Sequence, residues 1–233
     1  MPVVLDADST NDTRVTNATT LTHNLLTIGV GANRAVVFTL FFGNWSGSAP
    51  AGVSVTWDSG GTNQVCSLIR SINSTSGKGI AQVWGLVAPT SGNLTLSVAW
   101  TNASDAQVAG VSYSGADQTS PFDQSTTNTG NSSQSSITVT TSIIDAVVAA
   151  HIIVSTIQSV SLTNFTTVYN DSSNANFSTT ANHEEGNIPA TMTATFTGAD
   201  FWAVAATNVK TPGEVLSVPI VPFGILGAFD TEW

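Results

Sequence analysis

Few side chains in this 233-residue chain could do chemistry, and their spacing decides among the options. The run Gly110-Val111-Ser112-Tyr113-Ser114 approaches the pattern that strains a nucleophilic serine at a strand-to-helix turn. It ends in serine rather than glycine, and no helical pattern follows it. His183-Glu184-Glu185 sets three metal-ligand types side by side, with His23 and His151 elsewhere. Neighbours in an extended chain project to opposite sides, so the tripeptide alone cannot make one face of a metal site, and a solvated loop is expected. Asp105, Asp117 and Asp123 are loop carboxylates of a kind that holds calcium, but no spaced oxygen-ligand motif surrounds them. Paired carboxylates for glycoside hydrolysis are a spatial arrangement that spacing does not reveal. Gly29-Val30-Gly31 lacks the continuation of a phosphate-binding loop and reads as a turn. Trp45, at the expected tip of the loop 43–52, is a candidate glycan contact by ring stacking. Cys66 is the single cysteine, so no intrachain disulfide is available; it lies in the apolar run 65–69 and reads as a buried, inert thiol. The reading is of a chain that is not an enzyme, with no catalytic, cofactor or metal residues.

Composition narrows the partners. Only 9% of residues are charged, five are basic, and the formal net charge is −10. Phosphate neutralisation needs clustered Lys or Arg, so nucleic acid is not an expected partner, and anionic membrane surfaces are disfavoured for the same reason. No run reaches the roughly 20 apolar residues of a membrane span. The N-terminus lacks the basic and apolar regions of a secretory signal, which leads us to expect synthesis and release in a cytoplasm.

The elements that must position these residues are strands. Leu94, Leu96, Val98 and Trp100 alternate with Asn93, Thr95, Ser97 and Ala99, the period of a sheet with one buried face. A polar loop over 101–105 is expected to separate this strand from the next, 107–114, and a second sheet is expected to cover the apolar face. Residues 35–42 and 147–154 are apolar on both sides and read as central strands, making His151 a hydrogen-bonded core histidine. Residues 116–136 read as a loop crossing between sheets. Trp57, Trp84, Trp100 and Trp202 are expected in the core, as are Met192, Ala194 and Phe196. About a dozen strands at a spacing of roughly 8–12 residues, with no trustworthy helix, predict an all-β, two-sheet antiparallel β-sandwich, jelly-roll or lectin-like.

Three regions follow: an N-terminal arm or edge strand over 1–20, the sandwich over 21–210, and an extended C-terminal tail over 211–233. The tail is apolar but interrupted by Pro219, Pro222, Gly224 and Gly227, so it is neither a good helix nor a membrane span. Phe223, Ile225, Leu226, Phe229 and Trp233 must pack on their own domain or dock into a neighbour, and they are the candidate assembly contacts.

The series Val55-Thr56-Trp57-Asp58, Ala88-Pro89-Thr90-Ser91-Gly92, Leu94 to Trp100 and Ser114-Gly115-Ala116-Asp117-Gln118-Thr119 resembles a β-sandwich module found in phage virion proteins and in large bacterial surface or secreted proteins. The resemblance covers roughly residues 20–210, and its motifs are structural, with no catalytic residues attached. It implies a virion structural protein, a capsid decoration (cement) or fibre subunit assembled in the host cytoplasm. The partners would be other virion proteins, copies of itself, or both, anchored by a terminal segment. The alternative it leaves open is a carbohydrate-binding or adhesive module of a bacterial surface protein, located outside the cell, with Trp45 meeting a surface glycan.

Overall fold

The computed structural model describes residues 2–8, 13–24, 26–43, 45–142, 144–154, 160–163, 166–171, 177–185 and 190–213. Every regular element among them is a β-strand. In chain order these are β1 (Val4–Asp8), β2 (Thr13–His23), β3 (Thr27–Ile28), β4 (Ala35–Gly43), β5 (Ala51–Trp57), β6 (Gln64–Val65), β7 (Ser67–Asn73) and β8 (Gly79–Val87). There follow β9 (Gly92–Asn93), β10 (Leu96–Ser114), β11 (Ser125–Val139), β12 (Ala146–Val154), β13 (Val160–Thr163), β14 (Thr166–Asp171), β15 (Phe177–Glu185) and β16 (Ala190–Val209). All pairings are antiparallel. One sheet has the order β6-β5-β10-β4-β8-β7, with β1 and β2 also on β10; the other has the order β11-β16-β12-β15-β14, with β13 on β16; β3 and β9 form a separate pair.

The two larger sheets follow one pairing plan. β10 is bordered on one side by β2 and then β1, and on the other in its first half by β5 and in its second half by β4, which leads on to β8 and β7. β16 is bordered along its length by β11, in its first half by β13 and in its second half by β12, which leads on to β15 and β14. The registers agree residue by residue. Tyr113 pairs with Ala35 and Val108 with Leu40; Val209 pairs with Ala146 and Val204 with His151. Both central strands open with Ala-Val-Val. The same spacing makes Trp100 the counterpart of Phe196 and Ala106 that of Trp202, and all four are buried.

Both sheets curl. Residues ten positions apart in a flat strand stand roughly 33 Å apart, yet Thr13 Oγ1 and His23 Nδ1, the two ends of β2, are 2.8 Å apart. In β11 the amide of Asn128 likewise donates to the carbonyl of Ser136 at 2.8 Å. The bend in the first sheet is a bulge where Asn17 and Asn102 both take positive φ, 45° and 65°. It is fixed by the buried Asp105 carboxylate, which accepts the Asn17 backbone N–H at 2.9 Å. Residues 101–105 are thus not the expected loop. They continue one 19-residue strand, in which residues 101–103 are exposed on the outside of the bend while Ser104 and Asp105 are buried within it. A further sign of closure is that β6 and β7 lie at opposite ends of their sheet, with only Cys66 between them in sequence.

Curling changes what covers the apolar faces. Leu96, Val98 and Trp100 were expected to meet a second sheet. They pack instead inside their own, against Val36, Phe38, Leu40 and Phe42 of β4 with Val55 and Trp57 of β5. Phe42 and Trp100 meet edge to face at 5.1 Å, and Phe38 lies 5.8 Å from Trp57. The second sheet encloses Met192, Ala194, Phe196, Trp202 and Val204 in the same way. The opposite faces of β4 and β12 contribute to a third cluster, in which Val37, Phe41 and Val83 join Val148, Ile152 and Ala205. Gly79 allows that approach, because a Cβ there would collide with Val154 of the other sheet.

The crossover between the sheets is shorter than expected. Residues 116–124 are irregular, but Ser125–Val139 is a strand paired along β16. Its Ser, Thr and Asn content reads as a loop, yet Thr is a good strand former and an edge strand keeps one side in water.

Candidate functional site

The reactive side-chain types are mostly sealed and engaged. The Ser112 hydroxyl is buried and donates to Asp6 Oδ2 at 2.9 Å, and the same oxygen accepts the Gly29 N–H at 2.7 Å. His151 is buried with its Nδ1 2.7 Å from Ser135 Oγ, the hydrogen-bonded core histidine the sequence suggests. His23 is buried beside Thr13, and burial pushes its imidazole down to about 4. Cys66 is buried in the apolar interior, which pushes its thiol up to about 12. Residues 183–185 lie not in a loop but in β15, with His183 opposite Val148. Among the described residues no group of three or more His, Cys, Asp or Glu is placed to hold a metal ion.

Trp45 is the main correction. Its ring is 7% exposed and belongs to the interior of the first sheet, so it offers no platform to a glycan. The physical reason is the curl, which makes an interior large enough to take the ring that follows β4. Trp57, Trp84, Trp100 and Trp202 are buried as expected. Phe223, Ile225, Leu226, Phe229 and Trp233 lie outside the described residues.

Polar groups converge where the crossover meets the end of β16. The Asn208 side chain donates to Asp123 Oδ1 at 2.8 Å and accepts the Gln124 N–H at 3.0 Å, while the Asn208 N–H donates to the Gln124 carbonyl. Lys210 N–H donates to the Pro121 carbonyl and Asp117 N–H to the Lys210 carbonyl, stitching the crossover to the strand. Lys210 Nζ reaches Asp123 Oδ2 at 3.1 Å, and this hydrogen-bonded carboxylate holds the ammonium above its ordinary range. Asp117 is held below the usual carboxylate range by the backbone N–H groups of Thr119 and Ser120.

Beside them Asp145, 5% exposed, acts as a clasp. Its Oδ2 accepts from Thr141 Oγ1 and the Ser142 N–H, and its Oδ1 from both the N–H and hydroxyl of Thr211. Asp123, Gln124, Thr140, Ile144, Lys210 and Pro212 are among the residues lining a groove of about 500 Å³ between these segments. A smaller polar pocket of about 230 Å³ shares Gln124 and Thr140 with it and extends it between the two limbs of β11.

Of the loop carboxylates singled out from sequence, Asp105 is spent on the bend, and Asp117 and Asp123 come to the two sides of Lys210. Sequence reasoning missed Asn208, Gln124, Asp145 and Lys210. They come from three separate segments, and only the pairing of β11 and β12 with β16 brings them together. No family model, no curated protein and no solved structure matched the chain.

Proposed function

We propose that this chain is a non-enzymatic virion structural protein, a phage capsid decoration or fibre subunit, acting through assembly contacts with other virion proteins or with copies of itself. In this reading the two curled sheets are the layers of a jelly-roll-like sandwich that supplies stable bulk. The observation that supports it most is the state of the reactive groups: the Ser112, His23, His151 and Cys66 side chains are all buried in the folded interior. A protein whose polar chemistry serves its own packing is suited to binding rather than turnover. The low charge of the chain, 9% of residues, suits close neighbours with little like-charge repulsion. The glycan-binding alternative loses its expected contact with the burial of Trp45.

The test is the mass in solution of the full chain and of a chain ending at Gly213, which keeps the Asp145 to Thr211 clasp. The full chain is expected to form a defined oligomer and the shortened one a folded monomer. Two monomers of equal stability would remove the assembly reading.

A further inference from the structure

We propose that the groove at the crossover is a binding site for a neutral oligosaccharide, independent of any assembly role. Four observations carry it.

The groove has the size of a small ligand: about 500 Å³, extended by a contiguous pocket of about 230 Å³. Its polar groups are of both kinds. Lys210 spends one N–H on Asp123 and keeps two, and the Gln124 carboxamide, which accepts and donates, is exposed at the point shared by both pockets. An ammonium beside a carboxylate suits a sugar hydroxyl, which accepts from one and donates to the other. Among the other lining residues, Ile144, 40% exposed, and Pro212 are apolar and supply a surface for the C–H face of a pyranose ring.

The local charge excludes the other simple ligands. An anion would face Asp123 and Asp145 beside the single ammonium, within a chain of net charge −10. A metal ion would find Asp145 already accepting four hydrogen bonds and Asp123 paired to Asn208 and Lys210. A wholly apolar ligand would strand these polar groups without water. A polyol satisfies both halves of the lining.

The site is also pre-formed. Asp145 holds the wall at Thr141 and Thr211, and Asn208 holds Asp123 and Gln124 through backbone and side-chain bonds, so binding does not have to order the lining.

The experiment is saturation-transfer NMR on the full chain with maltose, cellobiose, lactose and N,N′-diacetylchitobiose, and with inorganic phosphate as the anionic probe. A binding disaccharide is then titrated against Gln124→Ala, Lys210→Met and, as a control in the other sheet, Thr101→Ala. Saturable binding of at least one disaccharide is expected, weakened about tenfold by each groove variant and unchanged by the control. Gln124 makes its bonds here through its backbone, so Gln124→Ala is expected to melt with the parent protein; should it not, Lys210→Met decides. Absence of binding by all four disaccharides, affinity equal in parent and both groove variants, or displacement of the sugar by phosphate would each overturn the assignment.

Discussion

Ser135 Oγ and His151 Nδ1 lie 2.7 Å apart inside the second sheet, at the two positions where the first sheet places Leu21 and Leu40. The same packing plan thus holds a buried polar pair in one half and a leucine pair in the other. Removing one partner of a buried pair is worse than replacing both. Ser135→Ala is expected to cost about 1–3 kcal/mol, by taking the hydroxyl from Nδ1. The double variant Ser135→Ala/His151→Leu is expected to be more stable than Ser135→Ala alone, because leucine already fills the equivalent site. Urea unfolding of the parent, both singles and the double gives the answer; a double variant whose losses simply add would contradict it.

His23 gives the fold a pH dependence of definite sign. Its folded value, lowered by burial to about 4, lies below the ordinary 6.5. Between those values the unfolded chain binds the proton and the folded chain does not, so stability is fully present above about 6.5 and falls as pH drops toward about 4. The full effect is about 3 kcal/mol. Comparing unfolding free energies at neutral and mildly acid pH for the parent and His23→Gln isolates it: the variant is expected to lose less on acidification. Equal losses would place the pH dependence in other groups.

Cys66 is expected to be inert in the native state. The thiol is 3% exposed and its ionisation is pushed up to about 12, leaving almost no thiolate near neutrality. A colorimetric thiol reagent should react with less than a tenth of the protein over an hour natively and with one thiol per chain in denaturant. Rapid native reaction would mean that the β6 to β7 corner opens readily.

The crossover docks through Phe122. A Cβ on Gly85 of β8 would collide with the Phe122 ring and press on Ile69, so Gly85→Ala is expected to destabilise by about 1–3 kcal/mol. In a Phe122→Ala background the added methyl has room, and the penalty is expected to shrink. A double-mutant cycle measures this coupling; independent effects would show that the ring does not rest on Gly85.

The strands were legible because their period is short and their residues are β-branched or aromatic: residues 35–42 and 147–154 fall where the apolar run puts them, and the alternation over 94–100 marks a strand that begins at Leu96. Two things were not legible, for physical reasons. Curvature lies in a few backbone angles, such as those of Asn17 and Asn102, and leaves the hydrophobic period intact. An open sheet and a curled one therefore read alike, and the burial of Trp45 followed from the difference. The groove was invisible because Asp123, Asp145 and Lys210 are brought together by pairings of high sequence separation, each unremarkable in its own segment.

A chain that writes one pairing plan twice carries a hazard during folding: a strand of either half can enrol with the wrong partner, since β4 and β12 offer similar backbones to β10 and β16. The interiors differ enough to tell them apart. β12 placed in the first sheet would set the His151 imidazole opposite Leu21, with no hydroxyl to receive it, and β4 placed in the second would strand the Ser135 hydroxyl against Leu40. The buried polar pair thereby adds a penalty on exchange to the one set by side-chain size, since Phe38 and Phe42 of β4 stand where β12 has Ala149 and Ile153.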